Sequence, residues 1–171
     1  MALGIDYNRQ DCSLARALEL VGERWTMLIL RDSFFGVRRF SDFEAHLDIS
    51  KAVLTQRLSG LVEAGILEKT PQGGREEYTM TESGLALWPA LFALTQWGER
   101  QTSSRGPRRI FSHADCGSDL APSGLCPTCG MAPTPDSIEM RPGPGITSPR
   151  RRDPVSAVLR EPRRLLEPIR K

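Results

Sequence analysis

The sequence predicts a mainly α-helical fold with one small β-hairpin, followed by a small lobe rich in cysteine. Three observations support this class. Apolar residues recur at helical spacing from residue 11 to residue 100, a double glycine separates two short strand-like runs, and ten of the 13 prolines lie beyond residue 120. We therefore expect a boundary within residues 102–107 and three parts: a domain over residues 1–102, a Cys/His-rich lobe over residues 103–146 and a basic tail over residues 147–171.

The composition excludes some classes of protein. The 171 residues are 39% hydrophobic, which is enough for a buried core. No stretch approaches the roughly 18 apolar residues of a membrane-spanning helix, and the N-terminal residues lack the basic start and apolar run of a secretion signal. The sequence therefore predicts a cytoplasmic protein without a membrane segment. The net charge of +2 hides an asymmetry, because the tail is basic and the rest is slightly acidic.

Two apolar helices are predicted first. One begins at Asp11, a residue type that caps helices, and ends at Gly22. The other covers residues 23–35 and ends at Gly36. Apolar side chains occupy overlapping faces of these helices, so we expect both helices to be mostly buried.

A tight pair of helices is predicted next. Ser41 and Glu44 have the spacing of a capping box, which opens a short helix. Ser50 can cap a second helix that ends at Gly65. The short linker between the two helices predicts a helix-turn-helix. The apolar stripe of the second helix consists of Leu54, Leu58, Leu61 and Val62.

A hairpin and a final helix complete the domain. Residues 66–80 have the pattern of two strands around the turn PQGGR, which makes a wing. Thr81 begins a helix that runs to residue 100 and that Pro89 is expected to bend. Because this helix is apolar on more than one face, its surplus face predicts a subunit interface. The order of the elements is that of a winged helix-turn-helix, followed by a zinc-ribbon-like lobe.

The helix after Ser50 carries short polar side chains on the face that the apolar stripe leaves outward. Such a face suits contact with base edges in DNA, where glutamine pairs with adenine and a basic residue with guanine or phosphate. The helix N-terminus also offers N–H groups to a phosphate. The alternative is an ordinary solvated helix face. The predicted DNA-binding residues are Arg38, Arg39, Ser50, Lys51, Thr55, Gln56, Arg57 and Arg75.

Four segments, in this order, resemble the HxlR-type regulators, which are relatives of the MarR group. They are CSLARALELVGERWTMLILRD, RRFSDFEAHL, ISKAVLTQRLSGLVEAGIL and EYTMTESGLAL, within residues 11–100. The resemblance implies a homodimeric transcriptional regulator that binds a pseudo-palindromic, double-stranded operator with the second helix of the pair. No enzymatic activity is expected, because we find no nucleophile, base and acid set and no phosphate-binding glycine loop in the sequence.

Cys12 lies at the start of the first predicted helix. The resemblance implies a thiol at this place that senses oxidants or electrophiles in several relatives. The positive end of the helix dipole lowers the pKa of such a thiol, and Arg9 and Arg16 are near enough in sequence to contribute. The alternative is a small buried hydrophobic residue without reactivity.

The lobe contains two closely spaced pairs of soft metal ligands, each followed by glycine. Two such pairs suit a tetrahedral zinc ion, because each pair can hold one edge of the metal in a tight turn. A Pro- and Gly-rich segment of about forty residues buries too little apolar surface to fold alone, so we expect structural zinc. The alternative is a metal-free loop. The predicted ligands are His113, Cys116, Cys126 and Cys129, with water, Asp115 or Asp119 as alternatives to His113.

The tail combines arginines with several apolar residues. Pro154, Pro162 and Pro168 limit any helix in it to about two turns. It is either a flexible arm that adds nonspecific DNA affinity or a solvated terminus with a small apolar docking patch. For the whole chain, the sequence predicts a DNA-binding regulator that responds to oxidants through Cys12. The alternative function is a winged-helix scaffold whose zinc lobe is a protein-interaction or redox-sensing module.

Overall fold

The computed structural model describes Tyr7, residues 9–146 and residues 152–170. Within these ranges it has a helical domain, a small lobe that contains a sheet, and a C-terminal segment that contacts both. None of the helices in the described ranges combines the length and the apolar character that a bilayer crossing requires. The helices are α1 (Ser13–Val21), α2 (Arg24–Phe34), α3 (Phe40–Leu47), α4 (Lys51–Glu63), α5 (Glu82–Leu85), α6 (Trp88–Thr102) and α7 (Pro154–Val158), and the strands are β1 (Leu67–Gln72), β2 (Arg75–Met80), β3 (Arg109–His113), β4 (Ile138–Pro142) and β5 (Arg163–Arg164).

The helical domain has the predicted winged helix-turn-helix order. α3 and α4 form the helix-turn-helix, and β1 and β2 pair antiparallel over their whole length to form the wing. Gly73 and Gly74 close this hairpin with φ of +55° and +79°, values that an L side chain rarely adopts. The two-residue glycine turn therefore sets the register of the wing.

The lobe is built on a three-stranded antiparallel sheet in the order β3-β4-β5. The chain between β3 and β4 makes two tight turns and a short 3₁₀ turn at Pro135–Ser137 before it returns to the sheet. β4 is the central strand, so it contacts the strand before the turns and the strand of the C-terminal segment.

One hydrophobic core runs from the helical domain into the lobe. The Trp88 ring centroid lies 5.1 Å from that of Phe34 and 5.7 Å from that of Phe92. It also lies 5.5 Å from that of Phe111 on β3, in an edge-on arrangement. Tilted and edge-on ring pairs are favourable. α6 therefore joins α2 to the lobe through aromatic contacts.

α1 differs from its prediction in two ways. Cys12, and not Asp11, is the last residue with extended backbone before the helix, so the helix begins later than expected. Leu14, Leu18 and Leu20 are exposed, with Leu14 at 65%, so the expectation of burial is wrong for α1. The physical reason is that apolar spacing identifies one face of a helix but does not identify what covers that face.

Of the two predicted serine caps, one is confirmed. Ser50 Oγ accepts the backbone N–H of Val53 at 3.4 Å at the start of α4. α3 instead begins at Phe40, after the extended residue Arg39, so Ser41 lies inside the first turn and the predicted capping box is wrong. Phe40 packs against the core, so burial and not capping fixes the start of α3.

The predicted final helix is in fact two helices. Thr81 Oγ1 accepts the N–H of Gly84 at 3.2 Å and starts α5. α6 starts at Trp88, and Pro89 lies in its first turn, where the missing N–H removes no helical hydrogen bond. Pro89 therefore begins a helix instead of bending one, which corrects the prediction.

The C-terminal segment of residues 152–170 is docked on the rest of the molecule. Four of its apolar residues are buried in the common core and two more pack against it, so the interpretation as a flexible arm is wrong for this segment. Residues 147–151, which carry two of the tail arginines, lie outside the described residues. The four buried apolar residues of the segment are Val155, Leu159, Leu165 and Ile169.

Candidate nucleic-acid interface and metal centre

The outer face of α4 is the first candidate site. Leu54, Leu58 and Leu61 are fully buried on the inner side and hold α4 against the core. The opposite side of the N-terminal half is therefore turned to solvent, and its residues are small or capable of hydrogen bonding. The exposed residues of this half are Ser50, Lys51, Ala52, Thr55 and Gln56.

Two predicted basic residues next to α3 make contacts within the chain. The Arg38 guanidinium donates to the Leu166 carbonyl at 3.2 Å, which joins this segment to the C-terminal one. Arg39 Nε donates to Glu77 Oε1 at 3.1 Å, and Glu77 is buried on β2. The pair therefore ties the start of α3 to the wing and to the C-terminal segment.

The other predicted basic residues differ in exposure. Arg57 is half-buried, and its Nη2 lies 3.3 Å from Glu23 Oε2 at the start of α2. Lys51, at the start of α4, and Arg75, at the tip of the wing, are exposed. Because phosphate affinity depends on charge at the contact surface, Lys51 and Arg75 are positions from which a DNA backbone can be reached.

Lys69 on β1 is a wing residue absent from the predicted set. Its Nζ lies 2.6 Å from Glu76 Oε2 across the hairpin, and this contact raises the pKa of Lys69. Lys69 also lies opposite Tyr78 in the register, with its Nζ 5.9 Å from the ring centroid. The signal for it was available, since a two-residue turn fixes which residues face each other across a hairpin.

A buried network of charged groups joins α2 to α3, and no sequence pattern pointed to it. Asp32 is fully buried, and its Oδ1 accepts from Arg31 Nε at 2.9 Å and Nη2 at 2.7 Å. Its Oδ2 lies 2.7 Å from His46 Nδ1 on α3. A buried carboxylate is tolerated when it has such partners. The network fixes α3, and so the helix-turn-helix, against α2.

Two helix faces present large apolar side chains to solvent. On α1 these are Leu14, Leu18 and Leu20, and on α6 they are Leu94 and Trp97, which is 55% exposed. Single exposed apolar residues are ordinary, but several on two helices are typical of a surface that another protein covers.

The predicted metal ligands come together in the lobe. One ligand atom from each of four residues lies within 4.8 Å of the others. His113 Nδ1 is 3.4 Å from the Sγ atoms of both Cys116 and Cys129, and Cys116 Sγ is 3.5 Å from Cys126 Sγ. A tetrahedral zinc ion with ordinary bond lengths separates its ligand atoms by about 3.5–3.8 Å. The arrangement can therefore hold zinc with three thiolates and one imidazole.

Two matching turns position these ligands. The Gly117 N–H donates to the His113 carbonyl and the Gly130 N–H to the Cys126 carbonyl, each at 2.8 Å. Both glycines have positive φ, of +71° and +70°. In the second turn, the Cys129 N–H also donates to Cys126 Sγ at 3.4 Å. The same backbone geometry thus presents a ligand pair from each turn.

The two aspartates considered as substitute ligands have other contacts. Asp115 Oδ2 lies 3.6 Å from His113 Nε2, the ring nitrogen that faces away from the thiols, where a carboxylate orients a metal-bound histidine. Asp119 accepts from Arg141 at 2.8 Å and from Ser112 Oγ at 2.7 Å. Both contacts lower the pKa of Asp119 and brace the lobe.

The thiols perturb one another. Burial alone would raise the pKa of Cys126, but hydrogen bonds from the Cys129 N–H, Cys116 and His113 outweigh it and lower the pKa to about 6. The neighbouring Cys116 and Cys126 thiols raise the pKa of Cys129 to about 11. The Cys126 thiolate therefore forms readily while the Cys129 thiol resists ionisation, which is the situation that a shared cation relieves.

Cys12 lies at the N-terminus of α1 and is exposed, so the interpretation as a buried hydrophobic residue is wrong. The backbone N–H groups of Ala15 and Leu14 lower the pKa of its thiol, and the charge of Arg16 adds to this effect. The arrangement favours the thiolate, which is the reactive form.

The wing and the exposed polar half of α4 define a winged helix-turn-helix protein with the surface of a DNA-binding regulator. Residues 20–106 match the HxlR-like helix-turn-helix model, and the chain belongs to this family. It is therefore a transcriptional regulator and not an enzyme, and its family implies DNA binding.

The relatives of this chain are regulators of the same kind. An uncharacterized HTH-type transcriptional regulator of Mycobacterium tuberculosis is 43% identical over 138 residues, which cover 78% of this chain and 87% of the relative. A match of that extent cannot be contained in residues 1–106, so it continues into the lobe. Another such regulator, YvaP of Bacillus subtilis, is 35% identical and covers 48% of this chain and 80% of its own length.

A solved structure has the same fold. The crystal structure of PA1607, described as a candidate transcription factor, is 36% identical with a TM-score of 0.53. The similarity covers 67% of this chain and 92% of PA1607. It supports the family assignment from backbone geometry as well as from sequence.

Proposed function

We propose that this chain acts as a homodimer that binds a pseudo-palindromic operator, with α4 in the major groove and the wing against the adjacent minor groove. The observation that carries the proposal is the exposed polar half of α4 above a fully buried leucine stripe. Lys51 and Arg75 contact phosphates, whereas Thr55 and Gln56 contact base edges.

The remaining proposed members of the surface act through their position. Ser50 caps α4 and directs its N-terminal N–H groups toward a phosphate. Arg38, Arg39 and Arg57 flank the same surface, and their contacts within the chain hold the wing and α4 in place for DNA.

Fluorescence anisotropy with the intergenic DNA beside the gene tests this proposal. Lys51→Ala and Arg75→Ala should each weaken binding and reduce the salt slope by about 2, because the homodimer loses one phosphate contact in each half-site. Gln56→Ala should cost about 1–3 kcal/mol at one base position and relax sequence preference there. Arg105→Ala removes an exposed charge outside this surface and is the matched control. Equal salt slopes for the wild-type protein, Lys51→Ala, Arg75→Ala and Arg105→Ala would contradict the proposed interface.

The apolar faces of α1 and α6 form the proposed dimer interface. Burial of Leu94 and Trp97 against a second copy explains why α6 is apolar on both sides. Leu94→Glu should shift the protein to monomer in analytical ultracentrifugation and weaken operator binding. Leu125→Glu introduces the same charge at an exposed leucine of the lobe and should leave the mass unchanged.

The proposed ligand set for structural zinc is His113, Cys116, Cys126 and Cys129. The distances among the ligand atoms and the two matching turns support it. Zinc fixes the turns between β3 and β4, where few apolar residues are buried. Elemental analysis of protein purified without added metal should give about one zinc per chain. Zinc-free protein with an ordered lobe would contradict the assignment.

Cys12 is the proposed oxidant-responsive residue of the regulator. Its exposure and the N–H groups that face it favour a reactive thiolate. Alkylation of Cys12 in the folded protein should reach its half-maximal rate at a lower pH than in urea, because the pKa of the folded thiol is lowered. The Cys12→Ser protein should keep its operator affinity in diamide at doses that weaken the parent. Equal sensitivity of the two proteins would remove the sensor role.

A further inference from the structure

The segment of residues 152–170, which we call the strap, links the helix-turn-helix to the metal-ligand lobe. It contains α7, β5 and the residues after β5. Its buried apolar residues belong to the same hydrophobic core as those of α2, α3 and α4. A change where the strap contacts the lobe therefore has a packed route to the places where it contacts the helical domain.

One end of the strap sits on the turn between α2 and α3. The Leu166 N–H donates to the Phe34 carbonyl at 2.7 Å, and the Ile169 N–H donates to the Gly36 carbonyl at 3.0 Å. Gly36 has φ of +90°, and a Cβ there would collide with the Glu167 carbonyl oxygen. The close approach thus requires glycine. α7 also packs against α3, so the strap supports the first helix of the helix-turn-helix.

The middle of the strap is held by the lobe sheet. β5 pairs with β4, and the Leu165 N–H donates to the Ile138 carbonyl at 2.9 Å. On the opposite edge of β4, Ile138 is paired with His113, the last residue of β3 and a candidate zinc ligand. A single buried strand position therefore separates the strap from the metal centre.

We propose that zinc occupancy of the lobe regulates DNA binding through the strap. This inference rests on the proposed function and names its regulation. Without zinc, the two turns lose their shared cation and the lobe loses order. β4 then no longer holds β5, and the strap leaves α3 and the turn at Gly36. A helix-turn-helix without this support is less preorganised and binds its operator more weakly.

The test compares the full-length dimer with and without zinc, and with and without a seated strap. The strap variant is Ile169→Asp, which places a charge at the buried position whose N–H bonds to Gly36 and which lies outside the strand pairing of β5 with β4. Arg170→Ala, at the exposed neighbouring position, is the control. Zinc is removed with a chelator and restored, and operator affinity, zinc content and amide hydrogen exchange are measured for each protein.

We expect zinc removal and the strap variant to weaken operator binding through the same step. Zinc removal should weaken operator binding by the wild-type protein and by Arg170→Ala by about tenfold. Ile169→Asp should keep its zinc, bind as weakly as the zinc-free protein and change less than twofold when zinc is removed, because both changes release the same strap. Operator affinity that does not depend on zinc, or two losses that multiply, would overturn the proposal.

Hydrogen exchange separates this proposal from the regulator function. Zinc removal should raise exchange at residues 34–38 and in α3 even in the absence of DNA. Unchanged exchange there would overturn the strap mechanism, whatever the protein does with DNA. A different outcome would contradict the proposed function alone: zinc removal raises exchange at these residues, but the zinc-loaded protein binds no promoter DNA. The strap coupling would then still stand.

Discussion

The helical domain and the C-terminal lobe of this chain become ordered by different interactions. The helical domain buries large side chains such as Phe34, Phe43 and Leu54 completely. In the lobe, two glycine turns bring four metal-ligand side chains together beside a short sheet. The comparison teaches that hydrophobic burial stabilises the first region, whereas the second, in our proposal, depends on zinc held by its ligand set.

The two regions are nevertheless joined at two places. Trp88 and Phe92 of α6 pack against Phe111 of the lobe, with ring centroids 5.5 Å apart in both pairs. The strap makes the second junction, at Gly36 on one side and β4 on the other. Changes at the ligands, at the aromatic junction and at the strap should therefore differ in how strongly they affect the stability of each region.

The largest effect is expected from loss of a metal ligand. Cys126→Ser should abolish zinc binding and disorder the turns between β3 and β4, because structural zinc supplies about 10–16 kcal/mol of binding energy in small zinc-dependent folds. NMR should show lost dispersion for the lobe while α2 and α4 keep theirs. Cys12→Ser, which removes a thiol outside the ligand set, should leave both regions intact. Equal disruption of the two regions by Cys126→Ser would show that they form one folding unit.

The next largest effect is expected at the aromatic junction. Trp88→Ala should lower the free energy of unfolding by about 3–5 kcal/mol, the range for truncation of a buried aromatic residue. Because Trp88 contacts both regions, urea should unfold both at lower concentration when followed by circular dichroism. Trp97→Ala is the control, since its ring is exposed and its removal should affect assembly more than chain stability.

The features that sequence predicted are those with local signals. The Ser50 cap involves only Ser50 and Val53, which lie in one turn of helix, and the wing turn requires only two adjacent glycines. The ligand pairs also follow from short spacings, and each pair lies in one turn. These features depend on residues a few positions apart, so their pattern is visible in a single sequence.

The features that sequence missed depend on distant residues. The contact of Asp32 with His46 joins two helices, and nothing in the spacing of those residues selects the partner. The seat of the strap on Gly36 joins positions about 130 residues apart, and the same tail composition also suits a free arm. The exposed faces of α1 and α6 are covered, in our proposal, by a second copy of the chain, and a single sequence gives no information on which face another molecule covers.

A smaller effect is expected from adding a side chain at Gly36, where the strap lies directly against the helical domain. Gly36→Ala combines an unfavourable positive φ with a collision at the Glu167 carbonyl, and should cost about 1–3 kcal/mol. Gly65→Ala is a matched control, because Gly65 also has positive φ, of +66°, while a Cβ there meets no atom within 4 Å. The difference between the two variants in chemical denaturation measures the strap contact. Equal destabilisation would show that backbone strain alone accounts for the loss.

The smallest effect is expected at the helix caps, where the strap can be compared with the helix-turn-helix. Asp153 caps α7 of the strap, accepting from the Ser156 N–H at 2.9 Å, and Ser50 caps α4 of the helix-turn-helix at 3.4 Å. Asp153→Ala and Ser50→Ala should each cost about 1 kcal/mol, the usual value for loss of an N-cap. Hydrogen exchange should rise mainly in α7 for Asp153→Ala and in α4 for Ser50→Ala. An equal rise in α3 for Asp153→Ala would contradict this local opening and show that the strap and the helix-turn-helix open as one unit.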